Sequence, residues 1–199
     1  MQQFDLPFAF GEWFDQRFGD KPQRRGPSWK AALGIFLQRR GRTIVETGCQ
    51  RHRDDWGAGC STHIFGLMLR AHGRGQLYSV DNSRENLETA LGVVQGDGTA
   101  DLVKFYLGDS VHFLHTFREP IDLLYLDSWD YHRDDPDPSQ HHQLKELVAA
   151  YKKLSPGAVV LLDDNDLVGG GKTKLAKSFL SAQGWLSILD CQQSAWIRG

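Results

Sequence analysis

Residues 121–130 read IDLLYLDSWD, a short apolar run that ends in a carboxylate at Asp127. A run of this length, rich in Ile and Leu, is typical of a strand that is buried on both faces of a sheet. Similar runs occur elsewhere along the chain, at 43–46, 77–80, 102–107 and 158–162. Segments with helical periodicity or capping residues separate these runs. The alternation predicts one α/β domain with a doubly wound, mostly parallel sheet.

The two ends of the chain add to this domain. The runs 185–189 and 194–198 are close in sequence, which predicts an antiparallel strand pair at one edge of the sheet. Ser28 is expected to cap the first core helix, so 28–199 is predicted to be the domain itself. Residues 1–27 are rich in aromatic residues, Gly and Pro. They are expected to form an irregular N-terminal arm with one short helix that packs on the core or covers a site. A homodimer contact is a further use for their aromatic side chains.

Composition excludes several classes of protein. The 199 residues are 40% hydrophobic, 24% charged and 11% aromatic, which rules out a disordered, collagen-like or membrane-spanning chain. The net charge of -2 gives no global field for holding a polyanion, so nucleic acid and membrane are not expected as partners. Three cysteines and no basic, apolar leader at the N-terminus favour a cytoplasmic location.

Each run of the predicted parallel sheet ends in acidic residues. These are Glu46, Asp81, Asp109, Asp127 and the pair Asp163-Asp164. Parallel strands present their carboxyl ends at one edge of the sheet, where ligands bind in doubly wound folds. A single aspartate there often only caps the next helix. Together, however, the carboxylates would repel one another unless cations, hydroxyls or ammonium groups meet them, which predicts a functional edge.

The order of these residues resembles the class I S-adenosylmethionine-dependent methyltransferases over about residues 28–199. The resemblance implies a Rossmann-like methyltransferase fold and S-adenosylmethionine as the cofactor. It implies cofactor-binding roles for Glu46, Gly48, Gly59, Ser61, Asp81, Asp109 and Ser110. Within this set Asp81 would take the ribose hydroxyls, and Asp109 with Ser110 would flank the adenine. Trp129 is expected to stack on the adenine, to wall the acceptor site or to pack in the core.

Two segments, 126–130 and 161–165, are similar to the metal-dependent, catechol O-methyltransferase-like branch. That likeness implies Mg²⁺, or another divalent cation, held by Asp127, Asp164 and Asn165. Three oxygen ligands would leave positions for water and for two vicinal acceptor oxygens, and the metal would lower the pKa of a bound hydroxyl. The alternative is that residues 163–166 only cap the loop before the last helix.

This chain differs from that branch at the catalytic base, because the branch carries a lysine where this chain has Asp130. Either the metal alone suffices or another group takes the proton. The candidate catalytic residues are Asp127, Asp130, His132 and His142. Imidazole titrates near neutral pH, which suits the two histidines to this role.

Three further segments lie outside the resemblance to the metal-dependent branch. The insertion 50–56 contacts the substrate or is solvated. The segment GGGKT at 169–173 is interpreted as a flexible turn, because Asp166 stands where a phosphate-binding loop needs glycine. Arg24-Arg25 is interpreted as a solvated basic pair.

The sequence therefore predicts methyl transfer from S-adenosylmethionine to a hydroxyl of a small acceptor, such as a sugar or an aromatic diol. One alternative is an S-adenosylmethionine-binding module without catalysis. A weaker alternative is a nucleotide-dependent oxidoreductase, although the chain lacks a GxGxxG fingerprint after its first strand.

Overall fold

A computed structural model describes residues 10–57 and 59–198 of the chain. The α-helices of this part are α1 Phe10–Phe18, α2 Gly26–Gln38, α3 Ser61–His72, α4 Arg84–Gly96, α5 Ser110–Thr116, α6 Asp137–Ala150 and α7 Lys174–Ala182. The strands are β1 Thr43–Thr47, β2 Gln76–Asp81, β3 Val103–Leu107, β4 Ile121–Leu126, β5 Leu154–Leu162, β6 Leu186–Asp190 and β7 Ser194–Ile197.

The strands form one sheet in the order β3-β2-β1-β4-β5-β7-β6. Strands β1 to β5 pair in parallel, and β7 runs antiparallel between β5 and β6. This is the predicted doubly wound sheet with an antiparallel C-terminal pair, so the fold prediction is confirmed. The strand order reverses between β1 and β4, and a crevice is expected beyond the carboxyl ends of these two strands.

Alternate strand residues face two apolar clusters, one on each side of the sheet. Leu123 and Tyr125 of β4 pack with residues of α1, α2 and α3, whereas Leu124 and Leu126 pack with residues of α5, α6 and α7. The period of two along the strand is what sends neighbouring side chains to opposite faces. Because both faces are covered, the strands read as continuous apolar runs in the sequence.

Two element boundaries differ from the predictions. Strand β5 begins at Leu154 rather than at the predicted residue 158, and Ser155-Pro156-Gly157 form a bulge within it, since Ile121 pairs with Leu154 while Leu123 pairs with Val159. Helix α2 begins at Gly26, and the Ser28 hydroxyl in its first turn donates to the Arg25 carbonyl (2.9 Å). The first deviation is set by pairing with β4, which the local pattern does not encode.

The described part of the N-terminal arm packs on the core. Phe10, Phe14 and Phe18 of α1 are buried in the cluster that also holds α2 and α3. These three rings are therefore not exposed for a homodimer contact, while Phe4 and Phe8 lie outside the described residues. Among the helices of the described part, none is both long and apolar enough to cross a membrane.

Candidate functional site

A cleft of about 450 Å³ opens at the carboxyl ends of β1, β2 and β4. Most of the predicted site residues line it, namely Gly48, Gly59, Ser61, Asp81, Asp109, Ser110, Asp127, Trp129, Asp130, His132 and His142. Three predicted site residues do not line it: Glu46, Asp164 and Asn165. The fold therefore gathers residues from four loops and from α6 into one cleft, as strand-end carboxylates in a parallel sheet predict.

Gly48 allows the loop after β1 to approach the end of β4. Its backbone has φ +79°, and a Cβ at this position would lie 2.5 Å from the Asp127 carbonyl oxygen. The Gly48 N–H donates to the Val80 carbonyl (2.9 Å), which fixes the same loop against β2. Any larger residue would push the loop away from β4 and open the floor of the cleft.

Asp81 presents a fixed carboxylate in the cleft. One of its oxygens accepts from the Cys49 backbone N–H (3.1 Å), and the other accepts from the Ser83 N–H (2.8 Å) and the Asn86 amide (3.1 Å). Neutral donors thus hold this carboxylate in place. Its remaining lone pairs are suited to accept from a diol.

Ser110, His142 and Trp129 form another part of the cleft wall. The Ser110 hydroxyl lies 3.2 Å from His142 Nε2, and the His142 and Trp129 rings are 5.0 Å apart. Trp129 is 53% exposed, which excludes the expected alternative of core packing. Its φ of +58° is uncommon for a residue with a side chain, and such strain is concentrated at functional sites.

Glu46 lies beneath the cleft rather than in it. Its Oε1 accepts from the Thr62 hydroxyl (2.6 Å) and the Ser79 hydroxyl (2.6 Å), so it joins the start of α3 to β2. This position differs from the expected cofactor contact. Burial raises the pKa of Glu46 to about 7, and repulsion from Asp81 adds to the effect.

Replacement of Glu46 by glutamine is expected to flatten the pH dependence of stability. The folded protein binds the Glu46 proton more tightly than the unfolded chain does, so this stabilisation is full below the ordinary pKa of 4.5 and is lost as the pH rises to about 7. The wild type should lose about 2 kcal/mol of unfolding free energy between about pH 5 and pH 7.5. Urea denaturation of Glu46→Gln at both pH values should show a smaller loss, while the exposed control Glu88→Gln keeps the wild-type slope.

A group of charged and hydroxyl side chains lies where β4 and β5 end, and we call it the charge cluster. Its members are Arg25, Tyr125, Asp127, Asp163, Asp164 and Lys172. Arg25 Nε donates to Asp163 (2.8 Å), and Arg25 Nη1 donates to the Gly57 carbonyl (2.7 Å). The Tyr125 hydroxyl donates to Asp163 (2.6 Å). The interpretation of Arg24-Arg25 as a solvated pair is therefore wrong for Arg25, which is 7% exposed.

Lys172 provides the second cation of the charge cluster. Its Nζ lies 2.8 Å from Asp127 Oδ1 and 3.0 Å from Asp164 Oδ2, and its side chain is 3% exposed. Burial alone lowers the pKa of Lys172, but the two carboxylates raise it above its ordinary value, so the amine is charged. The interpretation of residues 169–173 as a flexible turn did not predict these buried ion pairs of Lys172.

The pKa values of two carboxylates of the charge cluster, Asp127 and Asp163, are shifted in opposite directions. Burial raises the pKa of Asp127, and the charge of Asp163 adds to that rise while Lys172 opposes it. Burial acts on Asp163 in the same sense, but Arg25 and Lys172 outweigh it and lower the pKa of Asp163. Asp127 is the one of these two that lines the cleft, and 19% of its side chain is exposed.

The predicted ligands do not fit a divalent cation. Asn165 Oδ1 accepts from the Thr173 hydroxyl (2.7 Å) and from Lys177 Nζ (2.9 Å), so two hydrogen-bond donors already occupy this oxygen. Asp164 instead pairs with Lys172. Across residues 10–57 and 59–198, no group of three or more His, Cys, Asp and Glu side chains could hold a metal ion. The expected Mg²⁺ site at Asp127, Asp164 and Asn165 is therefore not supported.

The rim of the cleft carries the remaining predicted residues. Asp130 pairs with Arg51 of the insertion (2.9 Å), so this side chain of the insertion contacts the loop after β4. His132 is exposed on the rim. His142 is half-buried, and its Nε2 lies 3.4 Å from the buried Glu146.

Comparisons with known proteins agree with this fold. A family model described as a methyltransferase domain matches residues 56–165, more than half of the chain. The fold is similar to the O-methyltransferase NovP, with a TM-score of 0.64 and 16% identity over 92% of this chain and 79% of that one. It is also similar to a putative caffeoyl-CoA O-methyltransferase from Staphylococcus aureus (TM-score 0.64, 10% identity, 87% and 83% of the two chains).

A third similar structure is the O-methyltransferase TomG from Streptomyces achromogenes, solved in complex with SAM. Its TM-score is 0.58 at 18% identity, and the match covers 100% of both chains. A comparison of the sequence with curated proteins finds no match.

Proposed function

Because the chain belongs to the family of methyltransferase domains, we propose that it moves a methyl group from S-adenosylmethionine to a hydroxyl of a small acceptor, of the sugar or aromatic diol type. The observation that carries this proposal is one cleft that contains both a carboxylate held by neutral donors, Asp81, and a carboxylate of the charge cluster, Asp127. The similar structures named as O-methyltransferases support the oxygen acceptor.

The cleft offers suitable contacts for each part of the cofactor. Asp81 is suited to accept from the ribose diol, and Trp129 with Ser110 and His142 is suited to flank the adenine. Gly48 and Gly59, which both have positive φ, let the backbone approach the methionine part, next to Ser61 at the start of α3. When bound, S-adenosylmethionine supplies an electrophilic methyl group on its sulfonium.

Asp127 is the residue proposed to act on the acceptor. Its carboxylate lines the cleft, and Oδ1 pairs with Lys172, which does not line the cleft. An alcohol or phenol becomes a better nucleophile as its proton is removed, and a carboxylate within hydrogen-bond reach can accept that proton. Arg51, Asp130 and His132 on the rim are proposed to select the acceptor.

Replacement of Asp81 by asparagine is expected to weaken binding of S-adenosylhomocysteine by about a hundredfold, since hydrogen bonds from a diol to a charged carboxylate are lost. Isothermal titration calorimetry measures this directly. Glu88→Gln, an exposed change on α4, is the matched control and should bind like the wild type.

The same titration tests the proposed function. Failure of the wild type to bind S-adenosylhomocysteine would overturn the proposed cofactor. Binding without turnover of any sugar, catechol or phenol acceptor would favour the module without catalysis. One methylated product identifies the acceptor class.

A further inference from the structure

Lys172 stands where the resemblance places a metal ion. Its ammonium group bridges Asp127 Oδ1 (2.8 Å) and Asp164 Oδ2 (3.0 Å), two of the three side chains that the resemblance assigns as ligands. The third is Asn165, whose amide nitrogen donates to Asp190 (2.9 Å) and to the Cys191 carbonyl (2.6 Å). The side-chain oxygens of the three implied ligands are thus in contact with Lys172, Lys177 and Thr173.

The backbone places Lys172 at this point through a glycine. Gly171 has φ +61°, and a Cβ there would lie 1.9 Å from the Asp164 carbonyl oxygen. The Lys172 N–H donates to that same carbonyl (3.0 Å), and the Gln140 amide donates to the Gly171 carbonyl (2.9 Å). Only a residue without a side chain fits this approach, so the glycine run is what brings the ammonium group between the carboxylates.

Two cations already face the carboxylates of the charge cluster without a metal. Arg25 lies 2.8 Å from Asp163 and 3.8 Å from Asp164, so Arg25 and Lys172 together bring two positive charges, the charge of one divalent cation. A divalent ion needs carboxylate oxygens at about 2.0–2.6 Å. It would therefore have to expel a buried ammonium group that already makes two ion pairs.

We propose that the Lys172 ammonium group replaces the divalent cation in this chain, and that Lys172 is a positioning residue that holds the Asp127 carboxylate at the cleft without any bound metal. The role of Asp127 rests on the proposed function, whereas the replacement of the metal rests on the geometry of the charge cluster. Lys172 does not line the cleft, so it acts on the acceptor only through Asp127.

Titration with Mn²⁺ tests this directly, with water-proton relaxation as the spectroscopic readout and Mg²⁺ as the competitor. The wild type is expected to bind no Mn²⁺ at the charge cluster. Lys172→Ala frees two adjacent carboxylates and the space between them, so it is expected to bind Mn²⁺ about tenfold or more tightly than the wild type, in competition with Mg²⁺. Lys177→Ala removes a lysine from the same segment that contacts Asn165 and Asp190 instead, and it should behave like the wild type.

Two outcomes would overturn the proposal. The first is Mn²⁺ binding by the wild type that Asp127→Asn removes. The second is a folded Lys172→Ala variant that gains no Mn²⁺ signal over the wild type. If Lys172→Ala does not fold, the comparison of Mn²⁺ binding by the wild type and by Asp127→Asn still tests the proposal.

A parallel titration of the wild type with S-adenosylhomocysteine in the presence of a chelator keeps the two proposals separate. Absence of cofactor binding both with and without the chelator, with Mn²⁺ excluded as expected, contradicts the proposed cofactor and leaves the replacement of the metal standing. Cofactor binding that requires Mg²⁺ contradicts the replacement alone.

Discussion

Replacement of Asp127 by asparagine is expected to lower the turnover number for methyl transfer by about a hundredfold or more, because an amide cannot accept the acceptor proton as a carboxylate does. The substitution keeps the size of the side chain. Binding of S-adenosylhomocysteine is expected to change far less than turnover, since Asp81, Ser110 and Trp129 are the proposed cofactor contacts. The measurement is release of S-adenosylhomocysteine with the acceptor found by the screen, together with calorimetry on the same protein.

The matched control for Asp127 is Asp134→Asn, which removes a carboxylate from the exposed loop after β4, outside the cleft. It should turn over like the wild type. A wild-type turnover number for Asp127→Asn would show that Asp127 is not the proton acceptor. The next residue to test would then be His132, the imidazole on the rim of the cleft.

Replacement of Arg25 by alanine is expected to lower the free energy of unfolding by about 3–5 kcal/mol, because it leaves a buried carboxylate without its cation. The Asp163 side chain is 0% exposed, and Arg25 contacts both of its oxygens at 2.8 and 3.2 Å. The same substitution removes the hydrogen bond from Arg25 to the Gly57 carbonyl (2.7 Å), which connects the loop after β1 to the core. Urea denaturation at neutral pH measures the loss.

The neighbouring residue Arg24 provides the control for Arg25. Its ion pair with Asp166 is largely exposed, since 71% of the Arg24 side chain is accessible, and exposed pairs contribute little. Arg24→Ala should therefore cost a small fraction of what Arg25→Ala costs. Equal losses for the two variants would mean that the buried pair with Asp163 does not stabilise the fold as argued.

Local pattern was enough to predict the sheet and the edge at which the site lies. The run at 121–126 becomes β4 with the predicted bounds, and the carboxylates at 81 and 127 both line the cleft. Apolar runs and capping residues are local signals, and the parallel arrangement of strands brings their ends together whatever the rest of the chain does. The placement of Glu46 beneath the cleft was not predicted, because a strand-end carboxylate has the same sequence signature in either position.

The sequence by itself determined that acidic side chains would gather at one edge of the sheet and that positive charge or hydroxyl groups would have to meet them. It did not determine which groups these would be. Tertiary structure decided that Arg25, from a short turn before α2, meets Asp163, and that Lys172, after a glycine run, meets Asp127. These partners lie 138 and 45 residues apart in the chain. Charge compensation depends on distances of a few ångströms between remote segments, and no periodicity in the sequence records those distances.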